Sequence, residues 1–164
     1  MSMVLILKLL HIGAAFWLIA GIVGRSVVLF KAEHSLEIQT VRTLMPVANI
    51  FERTMVVPGT YAVFLAGLLT AWVQGWPILG FLQGGQSNWV LVSLLLLLSF
   101  IPVIAFVFVP RGKVCGIALE EVIAEDQITP QLTAAFQDPV VRAAHIYELT
   151  MLVVIVILMV LKPF

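Results

Sequence analysis

Three ionisable residues interrupt the first apolar stretch of the chain: Lys8, His11 and Arg25, within LILKLLHIGAAFWLIAGIVGRSVV. On a helix of 3.6 residues per turn, Lys8, His11, Ala15, Leu18, Ile22 and Arg25 share one face. Ionisable groups are costly in hydrocarbon, so this face should turn toward partner helices or a bound group. His11 has the chemistry of a ligand, since a neutral imidazole nitrogen can bind haem iron or another metal. Its neighbours Ala14, Ala15 and Gly21 are small and leave room for a flat macrocycle. The same residues also suit a plainer arrangement, in which His11 hydrogen-bonds a carbonyl or hydroxyl on an adjacent tightly packed helix. Ala20 with Gly24, and Ala62 with Ala66, have the spacing for such packing.

A second group of charges is expected at a different depth. Arg25 lies 14 residues beyond His11, about 21 Å along a helix. Glu52 and Arg53 open the second apolar run, and His145 and Glu148 open the fourth. If Arg25 marks the cytoplasmic boundary, all five belong to the inner leaflet and His11 to the outer half. His145 and Glu148, three residues apart, share a helix face. Such a cluster could handle protons or hold an anionic substrate, with Tyr61 and Tyr147 supplying hydroxyls. It could equally snorkel to headgroups or neutralise itself as glue between helices. A zinc site is excluded by ligand count, because the three histidines are scattered over different segments. Met159 is the one conventional soft partner for His11 in the outer half.

The elements that must position these residues are membrane spans. Charged residues make up 11% of the 164-residue chain and hydrophobic residues 62%, whereas soluble domains average about 25% charged. Net charge is zero and no basic run occurs, so there is no electrostatic case for nucleic acid as a partner. The lone cysteine, Cys115, excludes an internal disulfide or a paired-cysteine motif. Four apolar runs meet the requirement of about 20 residues for a bilayer core. They cover roughly residues 3–28, 46–74, 88–110 and 140–161. The first is too long for a signal peptide and lacks a clean cleavage site, so it is expected as a retained span. Pro46 suits a first helical turn, Pro58-Gly59 and Pro102 suit kinks, and Pro110 is expected to stop the third helix.

Residues 75–87 carry no charge. Residues 111–139 are expected as the longest polar connection, a cytoplasmic loop. Within it Val114, Ile117, Ala118, Glu121 and Val122 suggest an amphipathic helix, and Thr129-Pro130 a second short one. Arg25, Lys31, Arg42, Arg53, Arg111, Lys113 and Arg142 flank the first and third connections, against Lys8 and Lys162 on the other side. Positive-inside bias then places both long connections in the cytoplasm of a bacterial-type cell and both termini outside. Trp72, Trp76 and Trp89 form an outer aromatic belt.

The run Lys8-Leu9-Leu10-His11-Ile12-Gly13-Ala14-Ala15-Phe16-Trp17, the step Phe51-Glu52-Arg53, and Arg142, Glu148 and Leu161-Lys162-Pro163-Phe164 carry a resemblance. Over all four spans, unevenly, the chain resembles small four-helix membrane proteins grouped around the HemJ-type protoporphyrinogen oxidase. It also resembles a neighbouring family of predicted integral membrane proteins without assigned activity. The resemblance implies that His11 ligates haem b and that Arg25 and Arg53 meet porphyrin carboxylates. The third run, Trp89 to Ser99, departs from the oxidase group, which has a lysine and a histidine there. The residue 111–139 segment departs as well, so the uncharacterised neighbour is the nearer match.

The resulting expectation is an all-α, polytopic, four-helix membrane bundle. It holds b-type haem or another tetrapyrrole through His11 in a redox role. The alternative is a non-catalytic subunit or assembly factor of a larger membrane complex, or a homo-oligomer, docking through leucine-rich faces and Glu120, Glu121, Glu125 and Asp126. A small proton or metal carrier ranks third.

Overall fold

The computed structural model describes residues 2–35 and 37–163. Phe164, which completes the tail motif, lies outside them. The described residues form helices α1 (Met3–Glu33), α2 (Ile38–Phe51), α3 (Val57–Val73), α4 (Trp89–Val103), α5 (Val109–Glu125), α6 (Pro130–Phe136) and α7 (Pro139–Leu161). A π-helical turn, Glu52–Val56, joins α2 to α3, and another, Ile104–Phe108, joins α4 to α5. Four long apolar helical segments result: Met3–Glu33, Ile38–Val73, Trp89–Glu125 and Pro130–Leu161. The fold is all-α, that of a four-span polytopic membrane protein.

Contacts divide the chain into two compact units, residues 1–75 and 76–164. In the first, α1 packs on α2, the π turn and α3. Leu18, Gly21, Ile22, Arg25 and Ala32 are its buried stripe; of the face expected from helical spacing Leu18, Ile22 and Arg25 are buried, His11 and Ala15 half-buried, and Lys8 exposed. Glycine sets the distance. A Cβ on Gly21 would lie 2.6 Å from Met55 Cβ and 3.2 Å from the Val56 backbone nitrogen, and one on Gly59 would lie 3.1 Å from Leu18 Cα. The close crossing therefore uses Gly21 and Gly59, while the expected Ala20 and Ala62 are exposed.

In the second unit α4 packs on α7, and α5 on α6. Ala144, Glu148, Met151 and Leu158 form the buried stripe of α7. Ala118, Val122, Leu132 and Thr129 make a small core between α5 and α6. Thr129 caps α6 through Leu132 N, and Asp138 caps α7 through Val140 N at 2.8 Å. Trp76 and Trp89 meet edge to face at 5.4 Å, with the Lys162 ammonium over both rings. The end of α7 and the start of α4 are therefore level.

Helix ends differ from expectation. The first helix continues past residue 28 to Glu33, and the second begins at Ile38, so Pro46 lies inside it. The connection between α1 and α2 is then only a few residues, a tight helical hairpin. The third helix does not stop at Pro110. It widens into the π turn, then passes Pro110 in the first turn of α5 and runs to Glu125. Residues 111–139 are therefore largely helical rather than a loop. Proline breaks an α-helix through its missing N–H and a ring clash with the fourth preceding residue, and a π turn just ahead changes that register.

Replacing Gly21 with valine should force α1 off the π turn and cost about 1–3 kcal/mol by overpacking. Thermal unfolding in detergent should show a lower midpoint. Gly13→Val, where an added Cβ meets nothing within 4 Å, should leave that midpoint unchanged.

Candidate functional site

Helix α1 carries His11 to a half-buried position against α3. Its Nδ1 lies 3.2 Å from the Val63 carbonyl oxygen, and a carbonyl can only accept, so Nδ1 carries the proton and donates. Gly67 lies flush with the ring, because a Cβ there would sit 2.9 Å from His11 Cε1. The plainer expectation, a histidine bonded to a neighbouring helix, is thus realised. It does not spend the whole ring. A neutral imidazole protonated at Nδ1 keeps an acceptor lone pair at Nε2, the arrangement of a metal-ligating histidine whose other nitrogen is held by a carbonyl.

One turn further along α1, a proline shapes the wall beside this position. Pro58 has no N–H for the carbonyl four residues earlier, that of Thr54. Trp17 supplies the missing donor from α1, its Nε1 at 3.2 Å from the Thr54 oxygen. Gly13, Ala14, Trp17, Thr54, Pro58, Gly59 and Ala62 line a groove of about 280 Å³. Neither Trp17 nor Gly67 was singled out as a positioning residue from sequence. The available signal for Trp17 was Pro58 itself, which leaves a carbonyl in need of a partner.

At the opposite end of α1, Arg25 is 8% exposed, and its Nη1 donates to Glu52 Oε2. Both residues belong to the group of charges expected at this depth. Glu52 opens the π turn, where Val57 N bonds the Glu52 carbonyl. Arg53, the next residue, is exposed.

The second unit contains its own polar group. His145 Nδ1 lies 3.4 Å from Glu148 Oε2, with Glu148 2% exposed. The Phe108 ring, from the second π turn, stands 4.8 Å from the His145 ring. Tyr147 hydroxyl and Ser99 Oγ hydrogen-bond, and Arg111 binds Asp138, the residue that caps α7. Arg25 with Glu52 is a pair within the first unit, and His145 with Glu148 is a pair within the second. Tyr61 is exposed. Among the described residues no three His, Cys, Asp or Glu side chains converge as metal ligands.

Residues 5–163 match the family described as predicted integral membrane protein (DUF2269). The chain belongs to this family. No curated protein and no solved structure matches the chain. Nothing in these comparisons joins the family to the HemJ-type oxidases. Membership accounts for the four spans and brings no reaction with it.

The ion pair at the end of α1 has a measurable weight. Glu52→Gln removes the carboxylate from a buried guanidinium, and such a loss typically costs about 1–3 kcal/mol. The single variant should unfold at lower temperature in detergent, and the double variant Arg25→Met/Glu52→Met should recover much of the loss. Equal stability of Glu52→Gln and the parent would show that the pair is not a structural tie.

Proposed function

We propose that this membrane protein holds a b-type haem, or a related metal tetrapyrrole, through His11 Nε2 in an electron-transfer role. One observation carries the reading: His11 donates from Nδ1 to the Val63 carbonyl and so keeps Nε2 as its acceptor. A metal bound by side chains alone needs three or four ligands, and no such group exists among the described residues. A tetrapyrrole brings four nitrogens of its own and needs one axial imidazole. When bound, the group supplies reversible one-electron chemistry. The protein's share is to fix the imidazole tautomer through Val63, hold the ring flat against Gly67, and surround it with apolar helix. The resemblance of the first helix and the tail to the HemJ-type group supports the same assignment.

Arg25 and Arg53 take a separate role in this reading. Both sit at the other end of α1, roughly 21 Å from His11 along the helix. Arg25 ties α1 to Glu52, and the exposed Arg53 meets anionic groups at the membrane surface. The lysine and arginine distribution supports a cytoplasmic position for that end, with both termini outside.

The test is an absorption spectrum of the purified protein, oxidised and then dithionite-reduced. A Soret band with reduced b-type peaks is expected, lost in His11→Ala while the protein still inserts. Gly67→Leu, which drives the imidazole off α3, should weaken or shift the same bands. A colourless protein made with ample haem would overturn the assignment. The orientation has its own check: protease should cut the residue 126–129 turn from the cytoplasmic side only, and cleavage in intact spheroplasts would invert it.

A further inference from the structure

The second unit carries a surface that the His11 site does not use. Helix α5 runs three turns past Arg111 and Lys113, and α6 packs against it. Between them lies a groove of about 180 Å³ lined by Val114, Ile117, Ala118, Glu121 and Gln131. Val114 and Ile117 are 60% and 68% exposed. Both are large apolar side chains, and they stand beside a groove rather than singly on a flat surface.

The charge on this face is one-sided. From residue 114 to 137 the chain has Glu120, Glu121, Glu125 and Asp126 and no lysine or arginine. On a helix, Val114, Ile117, Ala118, Glu121 and Glu125 lie on one face. Read along α5, that face is apolar for a turn and a half and then acidic. An anionic bilayer surface would repel such a face. A helix whose own face is apolar and then basic complements it.

We propose that the α5–α6 groove receives an amphipathic helix from a partner protein, with an apolar anchor beside Val114 and Ile117 and lysine or arginine residues facing Glu121 and Glu125. This is the helix-in-groove mode, in which side chains at helical spacing supply anchors and rim charges select the partner. It is independent of the haem assignment, which concerns the other unit.

The test uses the full-length protein in nanodiscs of zwitterionic lipid. The probe is a labelled synthetic helix with one leucine anchor and lysines one and two turns beyond it; its twin has glutamates in place of the lysines. The lysine peptide should bind and weaken at high salt, and the twin should bind at least about tenfold more weakly. Glu121→Gln/Glu125→Gln, two surface changes, should cost the lysine peptide about tenfold, and Ile117→Ser should weaken both peptides. Equal affinity for the two peptides, or no loss in the double variant, would overturn the proposal. A second measurement covers the other occupants. In a Cys115→Ser background, a fluorophore on Ile117→Cys should be quenched by aqueous iodide. Quenching by lipid-borne nitroxide instead, or disulfide cross-linking between two copies through that cysteine, would assign the face to the bilayer or to self-association and likewise overturn it.

Discussion

Within hydrocarbon every backbone polar group needs a partner inside the protein, because no water is present to replace one. This chain places prolines inside its apolar helices, and each removes a donor. In the first unit the consequence is traceable residue by residue. Pro58 leaves the Thr54 carbonyl without its helical N–H, the helix widens into a π turn over Glu52–Val56, and the Trp17 indole donates to the carbonyl. The same turn presents its backbone to Gly21 and holds Glu52 against Arg25. The fit of α1 on α2 and α3 thus depends on how one missing hydrogen bond is repaired.

The second unit handles the same constraint in parallel. A π turn over Ile104–Phe108 precedes Pro110, and the helix continues for another fifteen residues to Glu125. That turn brings Phe108 against His145, beside Tyr147 and the buried Glu148. Both π turns therefore sit beside polar or ionisable side chains in the middle of apolar helices. Wider turns of this kind are frequent at functional sites, and here each is caused by a proline a few residues on.

The His11 arrangement shows that a packing contact is compatible with the binding role proposed for the same side chain. A histidine in an apolar helix must satisfy its N–H, and the Val63 carbonyl does so. That bond selects the tautomer, and the tautomer leaves a basic nitrogen. Gly67 completes the arrangement by letting the imidazole lie against the α3 backbone. The structural bond and the ligand assignment are consequently compatible, and they differ only in what Nε2 meets.

Composition and hydropathy by themselves determined the membrane class, the number of spans and the face of α1 that turns inward, because burial of charge in lipid leaves few alternatives. Helical spacing also put His145 and Glu148 on one face, whereas the partner that Arg25 takes within its own unit, Glu52, was one of several charges expected at the same depth. Helix ends were less legible: Pro46 and Pro110 read as a start and a stop, yet both lie within continuous helix. Whether a proline ends a helix depends on what repairs the freed carbonyl, and for Pro58 that donor, Trp17, comes from a segment distant in sequence. The use of Gly21 and Gly59 rather than the neighbouring alanines, the donation from Trp17, and the Val63 carbonyl as the partner of His11 were likewise decided by tertiary structure. Each depends on the vertical register between two helices, and the hydrophobic pattern of either helix alone leaves that register free.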